Sequence, residues 1–597
     1  MHTAAASATT ALTDKKKSAP EQASFTKGLF FGEVLSQHVF PYPESDPAER
    51  ELLQMTSDAI QRMGNDFDIH RIESEKRLPA EYLQTMREMG LFGLIIPEQF
   101  GGIGLSNSGY VQMMSELSMV DASICTTIGA HQSIGMKALL LFGTDAQKEK
   151  YLPRLASGEW IAAFGLTEPE AGSDAGSLKT RAVLTPEGDY LLSGNKIWIS
   201  NGGIAHFYTI FAKTTHPDGR GGEKESITAF IVTRDMPGFS SGPEEKKLGL
   251  WGSSTTALTL DQVRVPRENI LGEPGRGFKV AMAVLNNGRL GLAGACALGP
   301  RKLIQIARDH ALQRKQFSKP LAEFGLIQSK FAQMTMESYV GEAIVCVTAN
   351  LMDRGQADYS LESAICKVFN TEAEWRSVNE CLQIAGGTGY MAEYRYEKLL
   401  RDSRIFMIWE GANEVLRLFI GLSGVQGPGE QLSEVARALK KPMHDLLGSI
   451  GVLGEFGVRW FQRQVGVTQR LNGVHPDLAK EARVFEKYTQ KLAVATEAAL
   501  RRDGKNILHN QFAVKRLADI AIDLFALACT LSRATSALKK KGEAADFDRT
   551  IARAFSRKAR RRMAENLRRL HRNDDELEKR IARHVMEEGL PQHALFQ

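Results

Sequence analysis

The hydrophobic pattern changes period twice along the chain, and that alternation limits the fold more than any other feature. From about 47 to 160 apolar residues recur near helical spacing, as in Met86, Met89, Leu91 and Leu94 and again in Met113, Met114, Leu117 and Met119. From about 162 to 272 the runs become β-branched or alternating. Examples are Tyr190-Leu191-Leu192, Lys196-Ile197-Trp198-Ile199, Tyr208-Thr209-Ile210-Phe211, Ile227 to Val232 and Ala257-Leu258-Thr259-Leu260. Turn formers such as Ser193-Gly194-Asn195 and Pro217-Asp218-Gly219 separate them. From about 275 helical texture returns, over 279–314, 322–352, 359–385 and 412–421, and a further helical region runs from about 432 to 597.

A chain of 597 residues is too long for one core. The pattern predicts an α+β, mainly α protein. Its parts are a flexible segment over 1–45, a helical domain over 46–161, a β-domain over 162–273, a helical bundle over 274–428 and an additional helical domain over 429–597. The six cysteines form no CxxC pair, which suits reduced, buried thiols and no metal site. No apolar run reaches the length of about eighteen residues that a membrane-spanning helix needs. The N-terminus carries Lys15, Lys16 and Lys17, but its first arginine is Arg50. It reads as a disordered tail rather than a transit peptide, and it lacks the pattern of a secretory signal.

Four segments carry candidate chemistry. In Phe164-Gly165-Leu166-Thr167-Glu168-Pro169-Glu170-Ala171-Gly172-Ser173-Asp174, hydroxyls and a glycine offer close contact to a ligand, and a capped turn explains the stretch equally well. In Lys196 to Gly203, Trp198 beside Ser200 suits stacking on a flat cofactor, and a core tryptophan is the simpler alternative. Gln383-Ile384-Ala385-Gly386-Gly387-Thr388-Gly389-Tyr390 lacks the preceding strand of a Rossmann loop, so it is a helix-end glycine loop, or a plain helix–helix turn. In Arg401 to Glu414, Glu410 sits between Ile408-Trp409 and Gly411. A carboxylate in apolar company has a raised pKa and suits a general base; a surface capping glutamate is the alternative.

Together these segments resemble the acyl-CoA dehydrogenase family, with Thr167–Asp174 similar to its first signature and Gln383 to Glu414 to its second. The stretches Phe25 to Phe30, Gly129 to Gly135, Asn286 to Arg289 and Arg516 to Asp519, with the long C-terminal extension, resemble its very-long-chain branch. The resemblance implies FAD held by Phe164, Leu166, Thr167, Ser173, Trp198, Ile199, Ser200, Arg314, Gln316, Phe317, Gln383, Gly386, Gly387, Ala412, Asn413 and Glu414. Gln383, Gly386 and Gly387 would serve the neighbouring subunit. It implies a long-chain acyl-CoA lined by Ser173, Asn286, Asn287, Gly288, Arg289 and Gly411, with Glu410 removing the α-proton.

In that family the thioester carbonyl is polarised by the catalytic glutamate's backbone amide and a flavin ribityl hydroxyl, and electrons pass on to an electron-transfer flavoprotein. An acyl-CoA oxidase or an assembly scaffold on the same fold are the alternatives. Small residues at Gly129 and Ala130 imply an open acyl tunnel. Ala412 departs from the family's usual threonine, which removes one hydroxyl contact to FAD. The basic run of Arg557, Lys558, Arg560, Arg561, Arg562, Arg568 and Arg569, with Phe555, Met563 and Leu567, reads either as a contact with anionic lipid or as a solvated helix. No recognition motif for nucleic acid accompanies it. The expected protein is a homodimer, cytoplasmic or peripheral at the inner membrane, and in the mitochondrial matrix if the source is eukaryotic.

Overall fold

The computed structural model describes residues 24–217, 222–440 and 469–590, with backbone alone over 434–440. The expected disordered tail falls within 1–23, outside the described residues. The chain divides into two compact units, one spanning Tyr42–Leu416 and the other joining 24–41 to the residues from Arg417 onward.

In the second unit the first helix, α1 (Phe25–Phe31), is capped by Ser24 Oγ, which accepts from Lys27 N at 3.1 Å. Its residues Phe25, Leu29 and Phe30 are buried, and Phe25 meets Phe485 and Phe525 at ring-centroid distances of 6.3 and 5.8 Å. This corrects the expectation of a flexible segment through residue 45. Its small apolar face was too short to register as periodic, yet two helices far along the chain, carrying Phe485 and Phe525, cover it.

The first unit opens with helices α2 (Pro47–Asp66), α3 (Ile69–Glu75), α4 (Ala80–Glu88), α5 (Asn107–Val120), α6 (Ala122–Gly129), α7 (Lys137–Phe142) and α8 (Asp145–Ala156). A π-helical turn, Ala130–Gly135, separates α6 from α7. Such turns interrupt the helical register and recur at functional sites. Next comes an eight-stranded sheet of β1 (Ala162–Gly165), β2 (Arg181–Leu184), β3 (Tyr190–Ser200), β4 (Phe207–Pro217), β5 (Glu223–Thr233), β6 (Phe239–Glu244), β7 (Thr255–Val265) and β8 (Ile270–Leu271). The order is β6-β7-β3-β2-β4-β5-β8, with β1 parallel to β4. The four long strands match the alternating runs; β1, β2, β6 and β8 are too short to stand out by periodicity.

The bundle follows as α9 (Gly277–Gln313), α10 (Gly325–Asp353), α11 (Ser360–Ala385), α12 (Gly387–Tyr390), α13 (Arg395–Ser403) and the start of α14 (Asn413–Lys440). A small hairpin, β9 (Lys315–Gln316) and β10 (Lys319–Pro320), closes the end of α9. The second unit continues with α15 (Ala479–Asp503), α16 (Gln511–Lys541), α17 (Asp546–Arg569) and α18 (Asp575–Glu588). All six cysteines are unbridged, five of them buried. No helix among the described residues is long and apolar enough to cross a membrane.

The basic run on α17 is only partly free. Phe555 and Met563 are core residues, and Arg562, Arg568 and Arg569 pair with Asp523, Glu565 and Glu578. Arg557, Arg560 and Arg561 remain exposed.

His131, in the π-helical turn, ties the leading helices to β1. Its Nε2 lies 3.1 Å from the carbonyls of both Phe92 and Leu155, and its Nδ1 accepts from Ala162 N at 2.9 Å. Those partners assign the neutral tautomer with the proton on Nε2. Burial lowers the pKa from 6.5 to about 4, against the pull of the two carbonyls. The unfolded chain therefore takes up a proton that the folded one refuses as pH falls from 6.5 towards 4. The ring costs the fold on the order of 3 kcal/mol across that window. His131→Gln should lower stability near neutral pH by about 1–3 kcal/mol but flatten its acid dependence; urea unfolding at pH 7 and pH 5 measures both.

Candidate active site

Glu410 and Gly411 are consecutive left-handed residues, with φ of 54° and 95°. Glycine takes this conformation freely, whereas a glutamate there costs about 1–2 kcal/mol. The pair turns the chain from the 3-10 turn Arg404–Met407 into α14 and swings the carboxylate against α9. A Cβ at Gly288 would lie 2.6 Å from Glu410 Oε2, 2.9 Å from Oε1 and 2.8 Å from Ile134 Cγ2. The bare backbone at Gly288 is thus what admits the carboxylate.

Two cations hold the turn. Arg289 Nε donates to the Glu410 carbonyl at 3.2 Å, and Arg289 Nη1 donates to Asn286 Oδ1 at 2.8 Å. Lys367 Nζ, from α11, donates to the Gly411 carbonyl at 2.9 Å and to Asn413 Oδ1 at 2.7 Å. The Glu410 side chain itself is unpartnered at Oε2, which is enclosed and makes no hydrogen bond. Burial raises its carboxyl to about 7, opposed by Arg289 and Lys367. Its backbone N–H makes no hydrogen bond among the described residues, leaving a donor beside the carboxylate. Tyr110 of α5 packs one turn along α9, 3.2 Å from where a Cβ at Gly291 would stand.

The structure thus brings together Asn286, Gly288, Arg289, Glu410, Gly411 and Asn413. Asn287 turns aside, donating to the Ala283 carbonyl and to Tyr359 Oη at 3.0 and 3.2 Å. Ala412 stands at the start of α14, its carbonyl accepting from Leu416 N at 2.9 Å, and has no side-chain oxygen to cap the helix.

A second group forms around β3. The pairing of β3 with β7 is irregular between Lys196 and Ile199, and Trp198 has φ of 58°. Such a bulge re-aims a side chain, and Trp198 is 65% exposed. Ser200 is half-buried beyond it, while Ile199 is buried in the core. Ile197 N donates to the Thr167 carbonyl at 3.1 Å, which holds the Thr167–Asp174 loop beside this bulge. Thr167 is half-buried and Ser173 exposed on the loop. The side chains of Phe164 and Leu166 are committed to the core, Phe164 edge-on to Phe211 at 5.0 Å.

A buried ion pair pins this loop. Glu168, nearly buried, accepts from Lys196 Nζ at 2.7 Å, from Thr180 N and Oγ1 at 3.1 and 2.5 Å, and from Lys179 N. Lys196, fully buried, also donates to the Phe211 carbonyl at 2.7 Å. Burial works against the Glu168 anion, but Lys196 and these donors hold its carboxyl below the usual range. Both residues lay inside quoted motifs; a lysine in a strand expected to be half-buried was the available signal.

The remaining residues stand apart. Arg314, Gln316 and Phe317 sit at the β9–β10 hairpin, where Phe317 and Ser318 have φ of 51° and 67° and Phe317 is 89% exposed. Gln383, Gly386 and Gly387 are exposed at the end of α11. Arg314 lies 26 positions beyond Gly288, about 39 Å along the helix at 1.5 Å per residue.

Family models described as the acyl-CoA dehydrogenase N-terminal, middle and C-terminal domains match residues 46–159, 163–263 and 275–423. One described as the ACAD9/ACADV C-terminal domain matches 476–590. The chain is 43% identical over 564 residues to the human mitochondrial very long-chain specific acyl-CoA dehydrogenase, covering 93% of this chain and 86% of that one. It is 43% identical over 350 residues to an acyl-CoA dehydrogenase of Bacillus subtilis, covering 58% and 90%. Among solved structures, an acyl-CoA dehydrogenase of Bacillus anthracis complexed with FAD superposes with a TM-score of 0.76 at 29% identity, covering 96% of each chain. Butyryl-CoA dehydrogenase of Megasphaera elsdenii gives 0.60 at 34% identity, covering 64% of this chain and 99% of that one.

Lys196→Met should cost about 3–5 kcal/mol, because it strands the Glu168 charge in the interior. Adding Glu168→Gln should recover part of that loss. Thermal unfolding of the two variants tests the pair, and equal losses would refute the coupling.

Proposed function

This chain belongs to the acyl-CoA dehydrogenase family, and we propose that it oxidises long- or very-long-chain acyl-CoA to the trans-2-enoyl-CoA with FAD, using Glu410 as base. The observation that carries this reading is the Glu410 carboxylate, enclosed and unpaired at Oε2 against Gly288, with a pKa brought to about 7. A base needs a free lone pair and a proton affinity near the working pH.

The residues around β3 fit the cofactor. Trp198 offers an exposed flat face, Ser200 and Thr167 offer hydroxyls at its edge, and a Cβ at Gly172 would meet nothing within 4 Å. FAD, when bound, supplies the acceptor for the hydride that leaves Cβ. The chain's own residues do the rest. Glu410 Oε2 takes the α-proton, and the Glu410 N–H is a donor for the thioester carbonyl, whose charge grows as that proton leaves. Arg289 and Lys367 keep the carboxylate in place, and burial keeps water from it. With Ala412 in place of threonine, one neutral hydrogen bond to the cofactor is lost, worth about 0.5–1.5 kcal/mol.

The position of Arg314, Gln316 and Phe317, about 39 Å from Gly288 along α9, supports a homodimer in which these residues, with Gln383, Gly386 and Gly387, meet the cofactor of the second copy. An electron-transfer flavoprotein is the proposed acceptor from the reduced enzyme. Arg557, Arg560 and Arg561 are the exposed cations a peripheral contact with anionic lipid would use.

Anaerobic addition of palmitoyl-CoA to the purified yellow protein should bleach the flavin absorbance within seconds. Glu410→Gln should bind FAD normally yet slow bleaching by at least about 10³-fold, in line with loss of a positioned base. Bleaching at the wild-type rate would remove Glu410 from its role.

Chain length rests on Gly129. A Cβ there would meet only the terminal Cε of Met114, at 3.0 Å, a flexible group that can give way. Gly129→Leu should therefore lower kcat/KM for palmitoyl-CoA about tenfold or more while sparing octanoyl-CoA, since a mis-sized group in a packed site costs roughly 1–3 kcal/mol. Equal losses on both substrates would place the tunnel end elsewhere.

A further inference from the structure

Glu410 and Gly411 occupy a conformation that nothing in their own sequence favours: two left-handed residues in succession, the first carrying a side chain. Such a turn persists only when its surroundings determine it. On the α9 side Arg289 reaches the Glu410 carbonyl. On the other side the sole charged contact among the described residues is Lys367. Its ammonium group is fully buried and donates to the Gly411 carbonyl at 2.9 Å and to Asn413 Oδ1 at 2.7 Å. Asn413 is oriented in turn, because its Nδ2 donates to Thr371 Oγ1 at 3.1 Å and to Glu372 Oε1 at 3.3 Å. Thr371 Oγ1 donates back to the Lys367 carbonyl at 2.8 Å. The network therefore starts and ends on one turn of α11 and grips Gly411 and Asn413, the first and third residues after Glu410.

We propose that Lys367 is a positioning residue for Glu410, holding the Gly411 carbonyl and the Asn413 amide so that the left-handed pair keeps its carboxylate aimed across Gly288. This rests on the reading of Glu410 as the base. A buried lysine with a carbonyl and an amide for partners is costly as a structural element alone, and a well-packed apolar residue would serve packing better. The charge earns its place by acting on the carboxylate nearby.

The charged and titratable groups around Glu410 are Arg289 of α9, Lys367 of α11 and Tyr110 of α5. Around Lys367 they are Glu410, Cys296, Arg289 and Glu372. Burial lowers Lys367 and raises Glu410, and each charge works against the effect of burial on the other, so the ammonium group favours the Glu410 anion. Removing that charge leaves the carboxylate anion less stabilised, so the pH limb for reduction should move upward.

The test is anaerobic stopped-flow reduction of the FAD-loaded enzyme by palmitoyl-CoA across pH, with wild type, Lys367→Met, Lys367→Arg and Glu410→Gln. For Lys367→Met the limb should rise by about one pH unit. Its plateau rate should fall about 10- to 100-fold, the size of effect a misplaced group produces, while palmitoyl-CoA affinity stays within about twofold of wild type. A folded, flavin-loaded Lys367→Met enzyme with an unmoved limb would overturn the proposal. If that variant does not fold, Lys367→Arg decides. It keeps the cation but not the geometry, so a lowered plateau with an unmoved limb supports positioning, and a wild-type plateau refutes it. Glu410→Gln separates the two claims: if it still reduces FAD, the assignment of the base fails irrespective of Lys367.

Discussion

Close approach along one face of α9 is the constraint on which the first unit depends. Gly288, Gly291 and Gly294 recur every three residues. A Cβ at these positions would meet the Glu410 carboxylate at 2.6 Å, Tyr110 at 3.2 Å and Val111 at 2.9 Å. Ser115 and Ser118 of α5 then reach the backbone carbonyls of Gly294 and Ala295, at 2.5 and 2.8 Å. Three residues per repeat sits close to the helical period, so the stripe stays on one side for two turns. One end admits the carboxylate proposed as the base, and the remainder seats α5. The same economy of side chains that locks two helices together makes room for the chemistry.

Much of this was legible in the sequence. The change from helical spacing to alternation marked the long strands β3, β4, β5 and β7, because each has a buried face that the pattern must follow. Glu410 stood out because a carboxylate flanked by Ile408, Trp409 and Gly411 has few reasons to be there. Short elements escaped: β2, with four residues and a largely exposed pattern, carries no periodic signal. Contacts between residues far apart in the chain escaped as well. Nothing in Phe25 to Phe31 announces that Phe485 and Phe525 will bury it, and nothing in the α17 basic run says which arginines will find Asp523, Glu565 and Glu578.

The buried charges follow one logic that motif reading does not supply. Lys196 and Lys367 both read as ordinary lysines within apolar runs, yet each is fully buried and each anchors a loop that carries candidate site residues. Lys196 does so through Glu168 and thereby fixes the loop running to Ser173; Lys367 does so through Gly411 and Asn413. A loop presented to a ligand cannot hide its own backbone in regular ladders, so its carbonyls need donors from the scaffold. A lysine supplies three donors from a flexible stem and tolerates the interior better as more of them find acceptors, three for Lys196 and two for Lys367. Sequence marks the loop residues because their types are unusual; the partners of the lysines behind them become visible only once the fold brings them there.

The geometry of α9 also argues for the proposed second copy. A rigid helix cannot present both of its ends to one ligand. Gly288, which faces the carboxylate, and Arg314, at the hairpin, are separated by 26 positions, or about 39 Å. Phe317, on that hairpin, is 89% exposed and, among the described residues, meets the ring of Phe324 alone, at 6.3 Å. The glycine turn after α11 is equally open: a Cβ at Gly386 or Gly387 would touch nothing within 4 Å. Among the described residues no side chain packs against those glycines, and Gly386, with φ of 61°, is set by the turn itself. The hairpin and the turn follow the ends of α9 and α11, which pack together through Leu303, Ala307, Val378 and Ile384. In the proposed symmetric dimer the hairpin and the turn would meet the site of the other protomer, each bundle supplying the proposed base for its own substrate while its far end closes its neighbour's cofactor site.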